Sequence, residues 1–239
     1  SHPFGVQNQP PATRDVAPGY AVRPLRGQEA MTGFKHGPKP VVGLVGAIGA
    51  GKSAVARLLG TRGAHVIDAD ALGHEALRQP DIVAALVGRW GPRVLRDDGA
   101  LDRREIGRIV FADPAERAAL EGAVFPDIAG RTRDEISAAQ TNPEVGFVVL
   151  DAAVLLEAGW GDLVDRLVYV DAPRGARLAR VAARSGWGAA ELDAREAAQW
   201  PADEKKRRAD AVLVNDAGPD DLPARVDRLF AALGLPGAA

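Results

Sequence analysis

Three glycines ahead of a lysine and a serine mark where this chain can do chemistry: Gly46-Ala47-Ile48-Gly49-Ala50-Gly51-Lys52-Ser53. A short apolar run, Val41 to Val45, precedes them, and the helical pattern Ala54-Val-Ala-Arg-Leu-Leu59 follows. This is the spacing G-x-x-x-x-G-K-[ST] between strand and helix that cradles phosphate. Glycine lets the backbone turn its N–H groups inward as an anion-binding concavity. The positive end of the following helix adds to the attraction. Residues Gly46 through Ala54 are therefore expected to bind ATP, with Lys52 on the β- and γ-phosphates and the Ser53 hydroxyl on Mg²⁺.

Acids and arginines downstream supply the rest of a phosphate-handling site. Ala64-His-Val-Ile-Asp68-Ala-Asp70 reads as a second parallel strand ending in two carboxylates. In extended geometry Asp68 and Asp70 point to the same side, at the strand end where α/β sheets bind ligands. Asp70 is expected to act chemically, to cap a helix beginning at Ala71, or to do both. Phe147-Val-Val-Leu150-Asp151 reads as a third strand, with Asp151 placed to order magnesium. Arg103, close to an expected phosphate site, is a candidate clamp for a second anionic group. Arg174, Arg177, Arg180 and Arg184 lie on one helix, the last three on one face, with no acid between them. Such a one-sign face is expected to call for an external anion. The break Ser185-Gly-Trp-Gly188 and a second helix from Ala189 to Gln199 then suggest a mobile lid closing on triphosphate.

The elements that must position these groups follow from patterning. At 239 residues, one core with insertions is expected. A net charge of −2 offers no global field for gathering nucleic acid, and no apolar run approaches a membrane span. The chain has no cysteine, which excludes disulfides and thiolate metal sites and fits a cytoplasmic setting. Residues 1–40 are proline-rich without apolar period and are expected to be disordered or loosely packed. Met31 is the single methionine, which suggests that translation naturally starts there. From about Glu75 to Gln140 the pattern is helical, more than a crossover needs, and reads as an insert covering the ligand edge of the sheet. Leu167 to Asp171 and Ala211 to Val214 read as further strands, and a last helix follows Asp220 and Asp221 and ends at Gly234.

Taken together, Gly43-Leu-Val-Gly46 with Gly51-Lys-Ser53, Val66-Ile-Asp-Ala-Asp70, Asp98-Gly-Ala-Leu-Asp-Arg103, Val110-Phe-Ala-Asp113, Leu150-Asp151, Leu155-Leu-Glu157, Arg180, Arg184, Gln199, Glu204-Lys205, Ala209-Asp210 and Asn215 resemble the dephospho-coenzyme A kinase family. The resemblance implies a P-loop nucleoside/nucleotide-kinase-like α/β fold in three layers, α/β/α, around a parallel sheet. Its core would be residues 41–75, 145–175 and 209–239, its helical acceptor-binding insert 76–144, and its lid 176–208. The implied reaction is ATP-dependent phosphorylation of the ribose 3′-hydroxyl of dephospho-coenzyme A, with Mg²⁺ as cofactor, in a monomer or weak homo-oligomer. On this reading Lys52, Asp70, Arg180 and Arg184 are catalytic, Asp70, Arg103 and Glu157 hold the acceptor, and Ser53 with Asp151 holds the metal. The family's usual His-Pro is here Phe125-Pro126, its D-x-P-L-L is Asp151-Ala-Ala-Val-Leu-Leu-Glu157, and its common threonine after Lys-Ser is Ala54. The ring at 125 has no donor for phosphate. A kinase for another nucleoside acceptor, or a non-catalytic ATP-binding paralogue, would keep the same loop; a GTPase would need an Asn-Lys-x-Asp signature, which is absent.

Overall fold

The computed structural model describes residues 20–22 (backbone only), 33–216 and 221–236. Five strands run parallel: β2 (Val41–Gly46), β3 (Ala64–Asp68), β4 (Phe147–Asp151), β5 (Arg166–Asp171) and β6 (Ala211–Val214). They stand in the order β6-β5-β2-β4-β3, and β1 (Tyr20–Val22) adds an antiparallel strand to the free edge of β6. β2, β4 and most of β5 are apolar runs with both faces covered, the pattern expected of a parallel sheet.

Alternate residues along the strands divide between two cores. Val42, Leu44, Val149, Val168 and Leu213 pack with α1 (Lys52–Gly60) and α9 (Leu222–Ala232). Val41, Val45, Ile67, Leu150 and Tyr169 face the other way, toward α2 (Ala69–Ala76), α3 (Pro80–Trp90), α4 (Arg103–Ala112) and α5 (Pro114–Thr141). The result is a three-layer α/β/α domain. α5 runs 28 residues, about 42 Å at the helical rise, with Pro126 inside it. The remaining helices are α6 (Arg174–Ser185), α7 (Ala189–Glu196) and α8 (Ala202–Arg208).

Within the stretch expected to be loosely packed, residues 33–40 make specific bonds. Lys35 N and Val41 N donate to the two carboxylate oxygens of Asp165, each at 2.8 Å, and Lys39 exchanges backbone bonds with the Gln140 amide. Met31, with the start site it suggests, lies outside the described residues. No helix among the described residues is long and apolar enough to cross a membrane.

The register of the sheet sets the site. Gly46, Asp68, Asp151, Asp171 and Val214 all fall at the carboxyl ends, and Asp68 stands level with Asp151 across β3 and β4. The helix after β3 begins two residues earlier than the spacing suggested. Asp68 is its N-cap, accepting from the amides of Asp70 and Ala71 at 3.0 Å. This corrects the expectation of two carboxylates in extended geometry: Asp68 is spent on the cap, and Asp70 sits in the first helical turn, exposed and free of side-chain bonds to described residues.

Candidate active site

The glycine-rich loop leaves β2 and re-enters structure at Lys52, the first residue of α1. Gly49 and Gly51 take φ of +76° and +96°, in the left-handed region open to glycine. A Cβ on Gly51 would run into the Asn215 amide, and one on Gly46 would press the Val170 carbonyl, so both close approaches need glycine. The Gly51 carbonyl accepts from Ala54 and Val55, and the amides of Lys52 and Ser53 at the helix start have no acceptor among the described residues. Ile48 to Ala54 line a cleft of about 580 Å³. Gly46 and Ala47 stand behind it, on a smaller cavity of about 210 Å³.

Asp151 is 7% exposed and receives the Ser53 hydroxyl at 2.9 Å. Burial pushes its carboxyl above the ordinary range; the Lys52 charge and the Ser53 bond oppose this, while Asp70 and Asp68 add to it. A desolvated carboxylate beside a hydroxyl is a pair of hard oxygen donors in want of a cation. Mg²⁺ typically takes one or two protein oxygens and completes its shell from phosphates and water, so these residues fit it. Among the described residues no group of three or more His, Cys, Asp or Glu side chains gathers for a metal.

The arginines of α6 do not form one free cationic face. Arg174 pairs with Asp193 at 2.6 Å and Arg177 with Glu196, both acids coming from α7. Arg180 donates to the carbonyls of Gly49, Ala50 and Asn215 at 3.1–3.2 Å, so it braces the loop backbone while still lining the cleft. Arg184 alone of the four forms no hydrogen bond or ion pair with a described residue, and it too faces the cleft. The expectation of a one-sign stripe awaiting an anion therefore reduces to Arg184, because α7 supplies carboxylates that the spacing along α6 could not reveal.

Asp70 lines the cleft and also an adjoining recess of about 320 Å³ that holds Arg103, His74 and Phe125. Glu157 is placed elsewhere. Its carboxylate pairs with Lys205 at 2.6 Å and accepts from Trp200 N at 2.9 Å, at side-chain exposures of 14% and 2% for the acid and the lysine. It lines none of the hollows described here. Lys205 also donates to the Ala153 carbonyl at 3.0 Å, so the pair ties the loop after β4 to α8.

Three cleft residues lay outside the sequence reading, Arg117 and Glu121 on α5 and Arg195 on α7, while Phe111 and Trp187 stood in it only as parts of longer motifs. The Arg195 guanidinium stacks over the Trp187 and Phe111 rings at 4.0 and 4.7 Å, joining α7 to α4. No local pattern gives any of these five a role in the cleft. Asn215 did carry a signal, a polar residue ending an apolar strand, and its side chain donates to the Ala50 carbonyl at 2.8 Å from a buried position.

With this geometry in view, comparison with known proteins is decisive. Residues 40–221 match the sequence profile described as Dephospho-CoA kinase. The chain belongs to the dephospho-CoA kinase family. A dephospho-CoA kinase of Anaeromyxobacter dehalogenans is 45% identical over 196 residues, covering 81% of this chain and 92% of that protein. One of Symbiobacterium thermophilum is 42% identical, covering 80% of each. Among solved structures, TT1252 from Thermus thermophilus superposes with a TM-score of 0.70 at 36% identity, covering 82% of this chain and 97% of that one. Dephospho-CoA kinase from Campylobacter jejuni shares the fold, with a TM-score of 0.61 at 20% identity and coverage of 82% and 98%. At the position usually held by His-Pro in that family, this chain carries a Phe125 ring packed edge-on against Trp160, with centroids 5.3 Å apart.

Proposed function

We propose that the protein transfers the γ-phosphoryl group of ATP to the ribose 3′-hydroxyl of dephospho-coenzyme A, giving coenzyme A and ADP, the last step of coenzyme A synthesis. The observation that carries this is the juxtaposition of Asp70 with the loop: one carboxylate, unpaired among the described residues, shared by the phosphate cleft and by a second recess able to take an acceptor. Phosphoryl transfer asks little covalent chemistry of the protein, and most of the catalysis is positioning and charge stabilisation.

On this reading the loop amides and Lys52 hold the β- and γ-phosphates, and Arg180 keeps the loop in shape from behind. Ser53 and Asp151 hold Mg²⁺, which when bound offsets phosphate charge. Asp70 receives the hydroxyl proton of the acceptor, or orients that hydroxyl in line with the γ-phosphate. Arg184, which pairs with no described residue, meets the moving phosphoryl group. Closure of α6 and α7 over the cleft excludes water, which keeps ATP from simple hydrolysis.

Coupled ADP release is the test. Dephospho-coenzyme A should stimulate it strongly, while adenosine, other nucleosides and shikimate-like alcohols should not. Equal stimulation by a different acceptor would reassign the substrate, and ATP binding without acceptor-dependent release would make the chain a non-catalytic binder.

A further inference from the structure

Ahead of β2, residues 33–39 form a short turn docked on the amino-terminal end of the sheet, opposite the end that carries the phosphate cleft. Phe34 and Gly37 pair across it as an isolated antiparallel bridge, and its two lysines reach different elements. Lys35 holds the segment leading into β5. Its backbone N–H donates to the Asp165 carboxylate at 2.8 Å, and its Nζ donates to the carbonyls of Val164 at 2.8 Å and Gly161 at 3.4 Å. His36 Nε2 donates to the Asp162 carbonyl at 3.0 Å, so Gly161, Asp162, Val164 and Asp165 are all held from the turn.

Lys39 holds the end of α5. Its Nζ donates to the carbonyls of Ala139, at 2.8 Å, and Asn142, groups that a helix leaves orphaned at its C-terminus. The Gln140 amide exchanges bonds of 2.8 and 3.0 Å with the Lys39 backbone. A Cβ on Gly37, at φ +143°, would strike the Gln140 side chain, so the turn closes on the helix only with glycine there.

Each of these two elements supplies a wall of the recess beside Asp70. Trp160 opens the 3₁₀ turn Trp160–Leu163, whose carbonyls Lys35 and His36 take up, and Phe125 stands about 22 Å along α5 from Gln140 at the helical rise. The two rings meet edge-on. Pro126 removes a rung of the α5 hydrogen-bond ladder next to Phe125, so α5 bends most easily at that wall. A helix that can bend at a wall keeps its geometry when its far end is anchored.

We infer that residues 33–39 are a clip that sets the spacing of the Phe125 and Trp160 walls, with Lys35 and Lys39 as positioning residues for the acceptor, an assignment that rests on the dephospho-coenzyme A reading above. Neither lysine lines the cleft or the recess, and no hydrogen bond runs from the clip to the phosphate loop among the described residues. The clip therefore acts on the acceptor and leaves ATP alone.

Lys35→Met keeps the length of an exposed side chain and removes its charge, so folding is not at stake. The KM for dephospho-coenzyme A should rise about tenfold, the loss of roughly one charged hydrogen bond. Both kcat and the calorimetric Kd for ATP should hold, and Lys35→Arg, which keeps charge and donors, should restore the KM. Lys39→Met should shift the KM in the same direction from the other arm. Combining Lys35→Met with Phe125→Ala decides the route: with the ring gone the clip has no wall to place, so the double variant should show the KM of Phe125→Ala alone. An unchanged acceptor KM in either lysine variant overturns the assignment. So does a KM effect that simply multiplies with that of Phe125→Ala, or a loss shared equally by ATP, since each makes the clip a general brace. A wild-type protein without dephospho-coenzyme A-dependent turnover would instead overturn the proposed function, which separates the two failures.

Discussion

Lys205 and Glu157 give a prediction whose size follows from burial. The Lys205 side chain is 2% exposed and its three contacts are the Glu157 carboxylate at 2.6 Å, the Ala153 carbonyl at 3.0 Å and the Gln199 amide oxygen at 3.3 Å. Lys205→Met keeps the length of the side chain and removes the charge, which strands a carboxylate that is 14% exposed. Breaking a buried pair from one side costs about 3–5 kcal/mol, a large part of a stability of roughly 5–15 kcal/mol. For a domain of this size that lowers Tm by about 10 °C. Urea denaturation should show a lower midpoint with an unchanged slope. Glu157→Gln should cost less, because the amide still accepts from Trp200 N and can meet the lysine. The double variant Lys205→Met/Glu157→Leu should recover stability relative to the sum of its singles, with a coupling of about 1–3 kcal/mol. The same lysine anchors the loop of Ala153 and Val154, which line the cleft, so kcat should fall with stability while the acceptor KM of Glu157→Gln stays near wild type. Single variants within about 0.5 kcal/mol of wild type would refute the reasoning, since surface pairs behave that way.

Other consequences follow from the same geometry. Asp151→Asn should raise the Tm of nucleotide-free protein at neutral pH while removing metal-supported turnover. Burial raises the Asp151 carboxyl in the folded state, so folding takes up a proton and stability falls as pH rises from the ordinary carboxylate range through the folded value. The advantage of the asparagine should therefore vanish in acid, where aspartate is protonated in both states; melting curves across pH check this. Gly51→Ala should lose ATP binding by calorimetry, since its φ of +96° and the Asn215 amide exclude a side chain. Arg184→Ala should keep ATP affinity and lose turnover by about 10³-fold, as removal of a comparable cation does in phosphoryl transfer; near-normal turnover would remove Arg184 from the mechanism.

What the sequence made legible was local. The strand-loop-helix at Val41 to Leu59 and the apolar runs ending in Asp68, Asp151 and Asp171 carry their geometry in consecutive residues, and the five parallel strands followed from them. Boundaries were less secure: Asp68 and Asp70 differ in role because one hydrogen-bonding cap starts α2 two residues early. Partners brought from another element were not legible at all. Asp193 and Glu196 neutralise Arg174 and Arg177 of α6 from the next helix, and Lys205 meets Glu157 across 48 residues of chain. The three-residue β1 lies in a proline-rich stretch without alternating pattern, and the open edge of β6, not its own sequence, gives it a partner.

The central claim is that one carboxylate, Asp70, stands between a phosphate cradle and a nucleoside recess. Incubation with ATP labelled at the γ-phosphate, followed by locating the label, tests it most directly. The account predicts label on the 3′-oxygen of dephospho-coenzyme A in wild type, and loss of that label in Asp70→Asn with both substrates still bound. Label on another hydroxyl or on inorganic phosphate alone, or full transfer by Asp70→Asn, would contradict it.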